Sequence, residues 1–138
     1  MDDSLYERLG GIEAITAVVR AVVDRQMNDD RIKQKFARTN VDRLIKEFAD
    51  LICQAAGGPC TYTGRNMTET HRNMGVTNGE FDAFMEDVVA VWDDFKVGKA
   101  EQDEILNVLR PMRGEIVEVD SNQTGTPLPS TFVPAPPL

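Results

Sequence analysis

Apolar residues recur at intervals of three and four along most of the chain, which is the spacing of one face of an α-helix. The pair Gly10-Gly11 separates a short predicted helix, at about 5–9, from a longer helix that follows. The longer helix carries an apolar stripe made of Ile12, Ile15, Val19, Val22 and Val23. Valine and isoleucine also suit strands, but the period and the length of the run favour a helix.

Two helices are predicted in the middle of the chain. The first is short and covers about 31–36. The second begins at Asp42, whose side chain is of the type that caps a helix N-terminus, and ends before the glycine and proline turn at 57–59. Its apolar positions are Leu44, Ile45, Phe48, Leu51, Ile52 and Ala55.

Two further helices are predicted toward the C-terminus. Thr77 and Glu80 have the spacing of a capping box and precede a strongly apolar helix. The last helix spans about 100–117, with Pro111 as a kink or a new start. No segment combines the alternation and the turn signals of a strand, so the sequence predicts an all-α fold.

The chain is predicted to divide into a folded body, residues 1–119, and a proline-rich tail, residues 120–138. Five of the seven prolines fall within the last twelve residues. The stretch before them is polar and has no period. The tail is therefore expected to be disordered or extended.

Composition limits the classes of function. A chain of 138 residues with a net charge of −8 is one acidic domain, which argues against nucleic acid and anionic membranes as partners. The N-terminus does not resemble a signal peptide, and no apolar run is as long as a membrane span. A cytoplasmic protein is therefore expected, with Cys53 and Cys60 as reduced thiols by default.

The chain contains a single histidine, His71, in a short segment between two predicted helices. One imidazole excludes histidine-pair zinc sites and bis-histidine haem ligation, but it suffices as the one protein ligand of a haem iron. Helical spacing would place Met67, His71 and Met74 on one face, and thioethers pack well on a porphyrin. The ordinary alternative is a histidine in the core or at the surface.

Four motifs in order resemble the group I truncated haemoglobins, which have a two-over-two helical fold. The chain opens with Leu5-Tyr6-Glu7-Arg8-Leu9-Gly10-Gly11, and Asn28-Asp29-Asp30 precedes Ile32 and Phe36. The loop Gly57-Gly58-Pro59, with Tyr62, Gly64 and Met67, leads to His71, and Val76 and Phe81-Asp82 follow it. The resemblance covers about residues 4–117.

The resemblance implies a bound protohaem with His71 as the proximal iron ligand. It also implies which side chains contact the cofactor, with Arg43 and Tyr62 near the porphyrin edge and propionates. The implied cofactor-binding residues are Phe36, Arg43, Leu44, Phe48, Tyr62, Met67, Val76 and Phe81.

The distal side departs from the family pattern. Val23 stands where many relatives place a tyrosine, and the other residues predicted to line the distal pocket, Leu44, Phe48 and Leu51, are apolar. A pocket without a hydrogen-bond donor predicts faster loss of O₂, because one buried hydrogen bond contributes about 1–3 kcal/mol. Glu47 falls where some relatives carry a basic residue.

Other groups are weighed as contacts of the sixth site. Lys46 neighbours the predicted cavity-facing row, and a shift of one residue in helical phase would bring its amine toward the iron. Gln26 and Tyr62 are more remote candidates for a polar contact. Cys53 lies off the row, which argues against a thiolate ligand. The sixth site is thus either open or held by Lys46 or water.

Two hypotheses for function follow. The first is a haem protein that binds O₂, NO or CO for oxygen transport, sensing or redox chemistry. An NO dioxygenase or peroxidase-like reaction would need an external reductase, because no flavin or nicotinamide fingerprint is present. The second is a haem-free helical interaction module. A monomer or weak dimer is expected in either case.

Overall fold

The computed structural model describes residues 4–64 and 66–132. Within these ranges the helices are α1 (Leu5–Arg8), α2 (Gly11–Met27), α3 (Val41–Ala55), α4 (Met67–His71), α5 (Asn78–Asp94), α6 (Lys99–Leu109) and α7 (Arg113–Ile116), with 3₁₀ turns at Lys33–Phe36 and Arg110–Met112. The described ranges contain no strand, so the prediction of an all-α fold is confirmed. None of their helices is long and apolar enough to cross a bilayer.

The core forms where α2 packs against α3 and α5. The α2 stripe of Ile15, Val19 and Val22 is buried there, and Ile52 and Trp92 approach it from the neighbouring helices. Fully burying an aliphatic or aromatic side chain of this size contributes about 1.5–3 kcal/mol. This packing fixes α2 and α3 relative to each other.

The helix ends follow local hydrogen bonding. The capping box is confirmed: the Glu80 backbone N–H donates to the Thr77 Oγ1, and the Thr77 N–H donates to the Glu80 carboxylate, each at 3.0 Å. The prediction of Asp42 as the N-cap of α3 is wrong, because Asn40 accepts the Arg43 N–H at 3.0 Å. Asp42 instead lies in the first turn of α3, where its negative charge interacts favourably with the helix dipole.

Cys53 and Cys60 form a disulfide, so the prediction of two reduced thiols is wrong. The glycine turn at 57–58 folds the chain back over the end of α3 and leaves 5.8 Å between the two cysteine Cα atoms. Gly58 has no room for a side chain, since a Cβ there would lie 2.8 Å from the Cys53 Sγ. The disulfide restrains the start of the loop that leads to α4.

The segment 121–132 forms neither a helix nor a strand, but it is hydrogen-bonded to the body. The Gly79 N–H donates to the Ser121 carbonyl at 3.1 Å, and the Gly125 N–H donates to the Arg31 carbonyl. Phe132 is 5% exposed. The part of the tail up to Phe132 therefore packs on the body, and residues 133–138, with Pro134, Pro136 and Pro137, lie outside the described residues.

Candidate functional site

A cavity of about 180 Å³ lies between the helices and is lined mainly by apolar side chains. The α4 wall consists of Met67, Thr70, His71, Met74 and Val76, and the α2–α3 wall consists of Gln26, Leu44, Glu47, Phe48 and Leu51. Phe81, Phe84 and Met85 of α5 also line the space, as does Phe132 of the tail segment.

Helix α3 has two apolar faces. Ile45, Ala49 and Ile52 are buried in the core. Leu44, Phe48 and Leu51 line the cavity instead and are only half-buried. Phe48 also stacks on Phe84 across a centroid distance of 6.0 Å. A second apolar face directed at a cavity is what an apolar ligand such as a porphyrin requires.

His71 lies on the short helix α4 with one ring nitrogen engaged by the backbone. Its Nδ1 lies 2.9 Å from the Met67 carbonyl oxygen. A carbonyl oxygen can only accept, so Nδ1 carries a proton, and in the neutral tautomer of this kind Nε2 holds the lone pair. Metal-binding histidines are typically held in this way, because the backbone contact fixes both the tautomer and the ring orientation.

Side chains at both ends position α4. The Asn66 side chain accepts the Glu69 N–H at 2.8 Å and caps the start. The chain turns sharply after His71, with positive φ at Asn73 and Gly75. The Glu118 carboxylate accepts both of their N–H groups, at 3.0 and 2.8 Å. The helix ends at His71, so Met74 belongs to this turn and not to the helix, although it still lines the cavity.

One edge of the cavity is polar. Arg43 donates from Nε to Glu47 at 2.9 Å, and both side chains are partly buried. The Tyr62 hydroxyl lies next to Gly64 and near the Glu47 carboxylate. The structure thus brings Arg43 and Tyr62 together at the cavity edge, where a propionate would meet a guanidinium.

A buried ion pair between Lys35 and Glu80 lies against the segment 121–132. The Lys35 Nζ lies 3.6 Å from the Glu80 carboxylate and donates to the Thr126 hydroxyl at 2.9 Å. The Thr126 N–H and hydroxyl both donate to the other Glu80 oxygen. Burial lowers the pKa of Lys35, and the negative charge of Glu80 opposes this shift. The pair links the cavity lining to the segment 121–132.

The structure places all the predicted cofactor-binding residues, together with His71 and Leu51, around this one cavity. Those cofactor-binding residues are Phe36, Arg43, Leu44, Phe48, Tyr62, Met67, Val76 and Phe81. Val23 does not line the cavity: it is 1% exposed and packs in the core. Lys46 does not line it either, since its amine pairs with Asp50 at 2.8 Å on the exposed face of α3.

Sequence reasoning gave too little weight to Gln26 and missed Lys35, Glu80 and Phe132. Positions 15, 19, 22 and 26 follow one helical stripe, and Gln26 is the polar member of that stripe. A polar residue at a core position was the available signal. The other three could not be found in this way, because their burial depends on a tail whose composition suggests disorder.

An all-α body around an apolar cavity lined by one imidazole is the arrangement expected of a haem protein of the globin type. The sequence profile of the bacterial-like globins matches residues 4–118. The chain therefore belongs to the bacterial-like globin family, among the group 1 truncated haemoglobins, and haem is its cofactor.

The similarity to known members extends over most of the chain. A group 1 truncated haemoglobin of Tetrahymena pyriformis is 33% identical over 83% of this chain and 94% of its own length. A group 1 truncated haemoglobin GlbN of Mycolicibacterium paratuberculosis is 31% identical over 82% of this chain and 83% of its own length. The Fe(III) crystal structure of the Tetrahymena pyriformis truncated haemoglobin superposes with a TM-score of 0.79 at 32% identity, over 85% of this chain and all of that one.

Proposed function

We propose that this globin binds diatomic gases, O₂, NO or CO, at a haem iron whose single protein ligand is His71. The observation that carries the proposal is the contact between Nδ1 of His71 and the Met67 carbonyl. With the proton on Nδ1, Nε2 is the ring nitrogen suited to bind a metal, and the side chain lines the cavity. Haem, when bound, supplies the iron at which such gases bind and exchange electrons.

The residues of this chain set access, polarity and orientation. Leu44, Phe48 and Leu51 make the α3 face of the cavity apolar. Arg43, held by Glu47, is suited to pair with a propionate at the cavity edge. Met67 and Met74 offer flexible thioethers to the porphyrin on the His71 side.

Oxygen transport and storage need only reversible binding. An NO dioxygenase or peroxidase-like reaction would need electrons from a separate reductase, which stays a prediction, as do the cytoplasmic location and the monomeric or weakly dimeric state. The haem-free interaction module is not favoured, since the family match and the cavity both support a haem globin.

The test is the absorption spectrum of the purified protein after addition of haem, recorded in the ferric state, the ferrous state and the ferrous state with CO. We expect one haem per chain, an intense Soret band and a shift of that band with CO. A protein that takes up no haem, or a ferrous spectrum that CO leaves unchanged, would contradict the proposal.

A further inference from the structure

Gln26 is a buried polar side chain in the wall of the cavity. It is 1% exposed and lines the cavity from the last turn of α2. Gln26 continues the helical stripe formed by Ile15, Val19 and Val22. Those three residues are all apolar and buried. Packing alone does not explain a glutamine at this position, because an apolar side chain would fill the space without burying an amide.

The hydrogen bonds of this amide are largely unmade. Its Nε2 lies 3.5 Å from the Phe84 carbonyl, which is a long contact. That carbonyl belongs to α5, where backbone hydrogen bonds within the helix already engage such groups. Its Oε1 has no hydrogen-bond partner among the described residues. One long contact therefore serves a side chain that can make about four hydrogen bonds.

An unpaired buried amide lowers the stability of the folded state, since it loses its bonds to water and gains none in return. Such groups are uncommon in folded proteins, and one that lines a cavity is placed to bond with what enters that cavity. Nε2 carries a second N–H besides the one directed at Phe84, so the amide has a further hydrogen that it can donate to an acceptor.

We propose that Gln26 is the polar group that hydrogen-bonds to the gas ligand, and that it sets the preference of this site for O₂ over CO. This inference rests on the proposed gas-binding function. It replaces the expectation that the gas-binding side lacks a donor, because the donor comes from α2 one turn beyond Val23. O₂ accepts a hydrogen bond in such a site much better than CO, so O₂ gains more from the amide.

Gln102 is a matched control within the same chain. It is also a glutamine, is 1% exposed and has an unpartnered Oε1. However, its Nε2 donates to the Asp93 carboxylate and the Val97 carbonyl, each at 2.9 Å, and it does not line the cavity. Its role is therefore structural, at the turn between α5 and α6.

The experiment compares Gln26→Met and Gln102→Met in the haem-loaded protein, using O₂ dissociation, the C–O stretching frequency of the CO complex and thermal unfolding. Methionine keeps the length of the side chain and removes the amide. Gln26→Met should speed O₂ dissociation by roughly fivefold to a hundredfold and raise the C–O frequency. Its melting temperature should stay equal or increase, because an unpaired amide is removed.

Gln102→Met should show the opposite pattern, with a lower melting temperature and unchanged O₂ dissociation and C–O frequency. The inference is overturned if Gln26→Met leaves the O₂ rate and the C–O frequency unchanged, while the wild-type protein still binds haem and CO. A wild-type protein that binds no haem would instead overturn the proposed function, and this inference with it.

Discussion

The two walls of the cavity differ in the length of the helices that form them and in how those helices are held in place. The α4 wall rests on a helix of five residues, none of them buried, and depends on Asn66 and Glu118 at its ends. The α2–α3 wall is formed by helices of 17 and 15 residues whose other faces make up the core. The proposed iron ligand, His71, therefore belongs to the less constrained of the two walls. Haem retention should therefore depend on peripheral contacts, and gas selectivity on the rigid core.

The largest expected effect follows from removing the imidazole on the α4 wall. His71→Ala should weaken haem binding by at least about a hundredfold, because even changes to residues that only support a metal ligand cost ten- to a hundredfold. The measurement is the rate of haem transfer to an excess of a competing apoprotein. The fold should persist, since His71 is not part of the core, and added imidazole should restore part of the haem binding. An unchanged transfer rate would show that His71 is not the ligand.

The next effect comes from the tail segment beside the α4 wall. A chain ending at residue 120 loses Phe132, which packs with Met74, Val76 and Phe81, and loses Thr126, which joins Lys35 to Glu80. Losing a buried phenylalanine alone costs about 3–5 kcal/mol, so unfolding should be easier and haem loss faster. A chain ending at Phe132 is the control and keeps every described contact. Equal haem loss from the two truncated chains would show that the segment does not support the cavity.

Val23→Tyr tests whether position 23 of α2 belongs to the core or to the cavity lining. Because Val23 is buried in the core and not in the cavity lining, Val23→Tyr should overpack the core and lower the free energy of unfolding by about 1–3 kcal/mol. O₂ dissociation should change little. Leu44→Gln is the matched change, because it places an amide on the half-buried face that lines the cavity and should slow O₂ dissociation. Slower O₂ loss from Val23→Tyr at unchanged stability would mean that Val23 does face the ligand.

The smallest expected effect concerns the contact between α2 and α5 at which Arg25 pairs with Asp87. Burial, together with the nearby Asp29, raises the pKa of Asp87 from 3.8 to about 6, although Arg25 lies 3.1 Å from its carboxylate. The folded state then binds more protons than the unfolded state between these two values, so the free energy of unfolding should fall as pH rises from about 4 to about 6. The change is on the order of 1 kcal/mol.

Asp87→Asn should remove most of this dependence in thermal unfolding recorded across that range. Asp29 does not mask the effect, because Arg31 lowers the pKa of Asp29, and its contribution to stability is fully present above pH 4 and lost only in stronger acid. A pH dependence that is identical in the variant would place its origin elsewhere.

Local signals in the sequence predicted the helices well. Thr77 and Glu80 carry their capping box in the sequence, and Pro111 marks the break between α6 and α7. Asn40 and Asp42 could not be separated, because both residue types cap helices and only the backbone conformation of Asn40 decides between them.

Contacts between residues that are far apart along the chain could not be predicted from the sequence. Valine at position 23 suits an apolar pocket and an apolar core equally, so the helical phase of α2 alone decides which it joins. The tail has the composition of a disordered segment, but Leu128 and Phe132 supply two apolar anchors for which the body offers a site. The pairing of Cys53 with Cys60 was not predicted, because the expectation of reduced thiols rested on an expected cytoplasmic location and not on the glycine turn that brings the two cysteines together.

The central claim is that His71 binds the iron, and the chain allows a direct test because it contains no other histidine. Protein without a histidine tag is produced with nitrogen-15 histidine, so that only the His71 imidazole carries the label. Resonance Raman spectra of the ferrous protein then report the stretch between the iron and its protein ligand. We predict that this band moves to lower frequency with the label. An iron–ligand band at the same frequency in labelled and unlabelled protein would contradict the account.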